Sequence, residues 1–197
     1  MRILVFGGTF NPVHNGHVRL CRILSEKVKA DLAVVIPTFK PVHKSVDESL
    51  IDSKHRLRMC EIAFTDERTV VSDIEIAQNK PCYTCDTLKM IHNKYPCAEL
   101  YLACGSDMFV TLHEWRNPSE IYALSTICAI SRKEQFTELE AYASEQKRFG
   151  MKSILCDVPP MEVSSTEIRN MIKNQEDISA LVPTDVIKYI KDNGLYL

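Results

Sequence analysis

Apolar residues along this chain gather in short continuous runs, separated by longer stretches in which they recur every three or four positions. Leu4 to Phe6, Leu32 to Ile36, Val70-Val71, Leu100 to Cys104, Thr126 to Ile130 and Ser153 to Val158 read as strands, with Pro37 and Gly105 ending two of them. Between them Val18, Cys21, Leu24 and Val28 fall at helical spacing, as do Leu88, Ile91 and Tyr95. Asp52 is placed to cap a helix carrying Leu57, Cys60 and Phe64 inward. A charged amphipathic helix is predicted from about 134 to 149, and two more begin near Ser165 and Thr184, the last stopped at Asn193-Gly194. Strands that are apolar throughout, rather than alternating, must be covered on both faces. The pattern therefore predicts an α/β fold with a doubly wound, mostly parallel sheet. It is read as one domain over 1–197, with a C-terminal helical portion from about 165. In such sheets ligands bind beyond the carboxyl ends of the strands, where strand order reverses.

Composition narrows the classes of function. Hydrophobic residues make up 45% and charged residues 25%, as in ordinary globular proteins. A formal charge of −2 supplies no global field for a polynucleotide, so no nucleic-acid partner is expected. The first apolar run meets glycine too soon for a signal peptide, and no stretch approaches the roughly 20 apolar residues that span a bilayer. A cytoplasmic protein with no membrane partner is expected. The eight cysteines are scattered and read as small reduced core residues. Cys82 and Cys85 form a lone C-x-x-C, which without a second pair or suitable histidines is weak evidence for a zinc or redox site.

Candidate chemistry concentrates at two places. In Gly7-Gly8-Thr9-Phe10-Asn11-Pro12-Val13-His14-Asn15-Gly16-His17, a strand ends in two glycines and a short loop delivers two histidines to the start of a helix. Glycines let a phosphate oxygen approach the backbone, and helix N-termini carry N–H groups and partial positive charge. His14 and His17, three apart, are placed to face one phosphate group. The string lacks the Gly-Lys-Ser/Thr of a P-loop and the G-x-G-x-x-G of dinucleotide-binding oxidoreductases. Near the C-terminus, Ser164 to Glu167 fits a capping box, and two hydroxyls with Arg169 at a helix start make another end suited to phosphate.

The N-terminal segment resembles the nucleotidylyltransferase superfamily, whose signature is H/T-x-G-H after a first strand and a glycine turn. The C-terminal segment is similar to that superfamily's I-S-S-T-x-I-R motif, with Val163 in place of the first Ile. The resemblance implies a Rossmann-like nucleotidylyltransferase fold. It also implies that His14 and His17 contact the triphosphate of ATP, that Gly7, Gly8, Thr9 and Phe10 line the nucleotide, and that Ser164, Ser165, Thr166 and Arg169 hold its outer phosphates. Pro41-Val42-His43-Lys44 resembles the P-P-H-K segment of bacterial nicotinate-mononucleotide adenylyltransferases, implying that Lys44 faces the reacting phosphates. Cys82 to Leu88 resembles their Y-T-x-D-T-L segment and Gly105 to Met108 their G-x-D-M/L segment. Thr84 is then expected beside the nicotinate carboxylate, Asp107 beside adenosine and Trp115 stacked on the pyridine ring. Arg116 stands where many relatives carry a second aromatic.

The activity expected is adenylyl transfer from ATP to nicotinate mononucleotide, giving deamido-NAD and pyrophosphate. His14, His17, Lys44 and Arg169 are the expected catalytic groups. Mg²⁺ is expected to arrive with ATP, without a dedicated protein metal site. The nearest alternatives are nicotinamide mononucleotide or phosphopantetheine as acceptor; a nucleotide-binding module without turnover is the reading from another class.

Overall fold

The computed structural model of the protein describes residues 1–42, 49–131, 136–158, 161 and 163–197. Its strands are β1 (Arg2–Gly8), β2 (Leu32–Pro37), β3 (Thr69–Val71), β4 (Glu99–Gly105), β5 (Ser125–Ser131) and β6 (Lys152–Asp157). Its helices are α1 (Asn15–Val28), α2 (Ser53–Ala63), α3 (Thr84–Lys94), α4 (Ser106–Phe109), α5 (Pro118–Leu124), α6 (Phe136–Lys147), α7 (Ser165–Lys173) and α8 (Thr184–Asp192). Short 3-10 turns cover Ile76–Gln78 and Leu112–Glu114.

The strands form one sheet in the order β3-β2-β1-β4-β5-β6, so strand order reverses at β1. The β1/β4, β4/β5 and β5/β6 pairs are parallel, in registers such as Val5 with Leu102, Leu102 with Ile127 and Ile127 with Ser153. This is the doubly wound α/β order that the continuous apolar runs imply. Ile3, Leu4, Val5 and Phe6 are buried in succession, as are Ala33 to Ile36, because both faces of the sheet are covered.

The chain divides into two compact units. One comprises Met1–Phe6, Cys21–Val34 and Tyr83–Pro160; the other comprises Gly7–Leu20, Val35–Cys82 and Met161–Leu197. In the first, Leu88 and Ile91 of α3 and Ile121 of α5 are buried along with Leu102, Ile127 and Cys128 of the strands. Lys89 Nζ on α3 lies 2.9 Å from Glu120 Oε1 on α5, an exposed pair that adds little to stability. In the second unit, α2 packs on α8, where His55 Nδ1 and Tyr189 Oη are 2.9 Å apart.

Local sequence explains where the helices begin and stop. The Asp52 side chain accepts the Lys54 N–H at 2.8 Å and starts α2. Pro118 occupies the first turn of α5, where its missing N–H costs nothing. Gly194, at φ +58, takes the left-handed turn that ends α8. The inward face of α2 differs from the expected one. Ser53, Arg56, Met59 and Cys60 are buried, whereas Leu57 is only half-buried. Six of the eight cysteines are buried thiols; Cys82 is half-buried and Cys97 exposed. Burial pushes the Cys104 and Cys128 thiols up to about 12. Among the described residues, no helix is long and apolar enough to cross a membrane.

Candidate active site

The loop leaving β1 is shaped by what its glycines make room for. A Cβ at Gly8 would stand 2.8 Å from the Phe10 ring, so only glycine lets that ring fold back over the strand end. Phe10 itself sits at φ +50 and is 2% exposed, its ring edge-on to His17 at 5.0 Å and to Phe64 at 6.2 Å. A Cβ at Gly7 would meet nothing within 4 Å, which leaves that backbone open to close approach. The Gly8 carbonyl accepts the Thr38 N–H at 2.9 Å, tying the strand end to the loop after β2.

His14 and His17 come together. Their rings stack with centroids 3.6 Å apart and planes inclined by 26°. The His14 N–H donates to His17 Nδ1 at 3.3 Å, so the neutral His17 ring carries its proton on Nε2 and is a donor there. Burial lowers the His14 pKa to about 4. Burial, and then the proximity of His14, hold His17 well below the ordinary histidine range. Both rings are therefore neutral at pH 7, and two charges could not share this stack cheaply. Among the described residues His14 Nδ1, which is buried, has no hydrogen-bond partner, a cost that a bound polar ligand can relieve. Gly16 permits the close fit, since a Cβ there would lie 2.8 Å from Val163 Cγ1 and 3.0 Å from His14 Nδ1. The start of α1 is anchored by Asn15, whose N–H and side-chain amide donate to the Leu181 and Ala180 carbonyls at 2.8 and 3.0 Å.

The C-terminal motif meets the same loop. Ser164 caps α7 by accepting the Glu167 N–H at 3.1 Å, as the capping-box spacing predicts. Ser165 Oγ donates to the Pro12 carbonyl at 2.9 Å, and Arg169 Nη1 to the Asn11 carbonyl at 2.9 Å. Arg169 Nη2 lies 3.4 Å from Thr166 Oγ1. Side chains more than 150 positions away along the chain thus converge on adjacent carbonyls beside the histidines. Arg169 is 9% exposed, while Ser164 and Thr166 are exposed.

The remaining expected residues fall elsewhere. Thr84 begins α3, Asp107 is exposed in the first turn of α4, and half-buried Trp115 closes a 3-10 turn; all three belong to the first compact unit. Arg116 places its guanidinium 4.5 Å from the centre of the Tyr83 ring. Lys44 and His43 lie outside the described residues.

Three residues around this loop were given no role by sequence reasoning: Arg56, Asn11 and Tyr196. Arg56 is fully buried and donates to the carbonyls of Thr9 (2.7 Å), Thr38 (2.6 Å), Phe39 (2.8 Å) and Ile51 (3.3 Å). Asn11 is 5% exposed; its Oδ1 accepts from Tyr196 Oη at 2.9 Å and its Nδ2 donates to Ser49 O at 3.0 Å. The available signal was spacing: Arg56 precedes Cys60 and Phe64 by four and eight, on one helical face. Among the described residues, no three His, Cys, Asp or Glu side chains are grouped to hold a metal ion.

A doubly wound sheet whose first strand opens into a glycine turn, stacked neutral imidazoles and a converging arginine is the architecture of a nucleotidyltransferase. The chain belongs to the cytidylyltransferase-like family, whose model matches residues 5–171, and within it to the nicotinate-nucleotide adenylyltransferases. A Borreliella burgdorferi protein described as "Probable nicotinate-nucleotide adenylyltransferase" is 35% identical over 198 residues, covering 100% of this chain and 97% of its own. A Neisseria meningitidis protein of the same description is 34% identical, with 99% and 98% covered. The fold matches the structure of Plasmodium falciparum nicotinic acid mononucleotide adenylyltransferase complexed with NaAD at a TM-score of 0.79. That match has 21% identity and covers 99% of this chain and 97% of the other.

Proposed function

We propose that this protein transfers the adenylyl group of ATP to nicotinate mononucleotide, releasing pyrophosphate and forming deamido-NAD. The observation that carries the reading is the stacked pair of neutral imidazoles where the loop contacted by Ser165 and Arg169 of α7 enters α1. The end-to-end relationship with nicotinate-nucleotide adenylyltransferases supports the choice of acceptor.

In the reaction, an oxygen of the mononucleotide 5′-phosphate attacks the α-phosphorus of ATP, and the bond to the bridging oxygen of pyrophosphate breaks in line. The attacking group is already an anion, so no base is needed. Catalysis is then positioning and stabilisation of charge that shifts toward the leaving group. His17, a donor through Nε2, is assigned to an oxygen on the α-phosphate, and His14 to a neighbouring one. A neutral donor suits this role, because its hydrogen bond strengthens as charge develops and does not overbind the ground state. Arg169, with Ser164, Ser165 and Thr166 at the N-terminus of α7, is assigned to the outer phosphates, and Lys44 to oxygens beside them. Gly7, Gly8 and Thr9 give the nucleotide a close backbone approach; Phe10 shapes that turn from beneath. Asp107 is assigned to adenosine, Thr84 and Trp115 to the nicotinate ring. Mg²⁺ enters as part of the ATP substrate, held largely by phosphates and water.

The test is pyrophosphate release from MgATP with nicotinate mononucleotide, nicotinamide mononucleotide and phosphopantetheine compared side by side. The highest kcat/KM is expected for the acid mononucleotide. Preference for the amide or for phosphopantetheine would replace the acceptor, and no release with any would reduce the protein to a binding module.

A further inference from the structure

The loop from Thr9 to Pro12 has its carbonyl oxygens engaged by side chains: Thr9 O by Arg56, Asn11 O by Arg169 and Pro12 O by Ser165. A peptide group is planar, and in its trans form the C=O and the following N–H point opposite ways. Drawing the Thr9 and Pro12 oxygens toward these donors therefore aims the Phe10 and Val13 N–H groups away from them. The peptide planes leading from β1 toward His14 are thus held by three side chains.

Arg56 holds the first of these carbonyls, Thr9 O, and ties it to other segments. Its four hydrogen bonds reach three separate segments: the loop after β1, the loop after β2 and the lead-in to α2. Among the described residues no carboxylate lies within ion-pairing distance of it. Its hydrogen-bond partners are carbonyl oxygens, and the charges of Asp52 and buried Glu75 also act on it. Tyr196 supports the same point of the structure, with its hydroxyl on Asn11 Oδ1. Burial pushes the Tyr196 pKa up, while the charges of Arg56 and Arg169 pull it the other way.

We propose that Arg56 is a positioning residue for the phosphate-facing loop, with Tyr196 as its second support. Together they set the course of the loop and with it the place of the stacked histidines. The proposal deepens the adenylyl-transfer reading, since it names what holds that site in register.

The test uses Arg56→Lys, Arg56→Met and Tyr196→Phe in the full chain. MgATP affinity is read by calorimetry, turnover by pyrophosphate release, and folding by circular dichroism and Tm. Lys keeps the charge but cannot span four carbonyls with three donors. Arg56→Lys should weaken MgATP at least about tenfold, the scale of a charged hydrogen bond lost from a buried network. It should also lower kcat by about 10²-fold, the cost of misplacing reacting groups by an ångström. Arg56→Met should bind MgATP more weakly still. Tyr196→Phe should lower kcat about tenfold in a protein that still folds, with Tm lower by several degrees for the lost buried hydrogen bond. A lower Tm with wild-type affinity and kcat in the folded variants would leave Arg56 merely structural and overturn the proposal. Should the Arg56 variants fail to fold, Tyr196→Phe decides alone: wild-type kcat in it overturns the proposal. A wild-type protein that binds MgATP but transfers nothing would refute the activity, and the affinity series would still judge Arg56.

Discussion

Lowering the pH from 7 to 5 should destabilise this protein through His14. The ring is 6% exposed, and its pKa falls from 6.5 to about 4 on folding. A depressed histidine pKa means that the unfolded chain binds the proton more readily than the folded one. Stability therefore falls as pH drops below 6.5 and stops falling near 4. Applied to these two values, linkage gives a loss of about 2 kcal/mol between pH 7 and pH 5, and about 3 kcal/mol once both forms are protonated. Urea unfolding of the wild type and His14→Gln at both pH values reads the contribution of His14, including its smaller effect on His17, because the carboxylates titrate in both proteins. With an m-value of about 2 kcal/mol/M, the wild-type midpoint should fall about 1 M further than that of the variant. Equal shifts in the two proteins would mean that the His14 ring is not held neutral by burial, and the electrostatic account of the stacked pair would fail with it.

Other outcomes follow from the same geometry. His17→Ala should lower kcat at least about 10²-fold with little change in KM for ATP, as for a lost oxyanion donor; a pure KM effect would remove it from the transition state. Gly16→Ala brings a Cβ within 3.0 Å of His14 Nδ1 and should lower kcat by about 10²-fold through displacement of that ring, whereas unchanged kcat would show the ring to be irrelevant. Ser164→Asp separates capping from phosphate contact. Aspartate also caps helices, so Tm should hold, but its charge should raise KM for ATP at least about tenfold if the outer phosphates lie there. An unchanged KM would place the triphosphate elsewhere.

Much of the architecture was legible because it rests on local rules. Continuous apolar runs gave away β1, β2, β4 and β5, and the Ser164 and Asp52 caps announced α7 and α2 to the residue. The short α4 and α5 were not foreseen, since helices of four and seven residues carry too few turns for a periodic signal. Arg56 escaped notice for a different reason. On a helical wheel it is one more charge, and its partners are backbone carbonyls, which leave no trace in side-chain identity. Leu57 took its place in the expected core face, although hydrogen bonds to four carbonyls let a guanidinium be buried there instead. Asn11 is similar: a loop asparagine before proline reads as a turn, and only folding brings Tyr196 to it from 185 positions away.

The uneven burial of the cysteines has a practical consequence. A maleimide reacts through the thiolate, which needs both access and a low enough pKa. Cys104 and Cys128, buried and displaced to about 12, offer neither, while Cys97 stands exposed. A dye offered briefly at neutral pH should attach at the exposed Cys97 ahead of half-buried Cys82, giving a built-in handle for fluorescence.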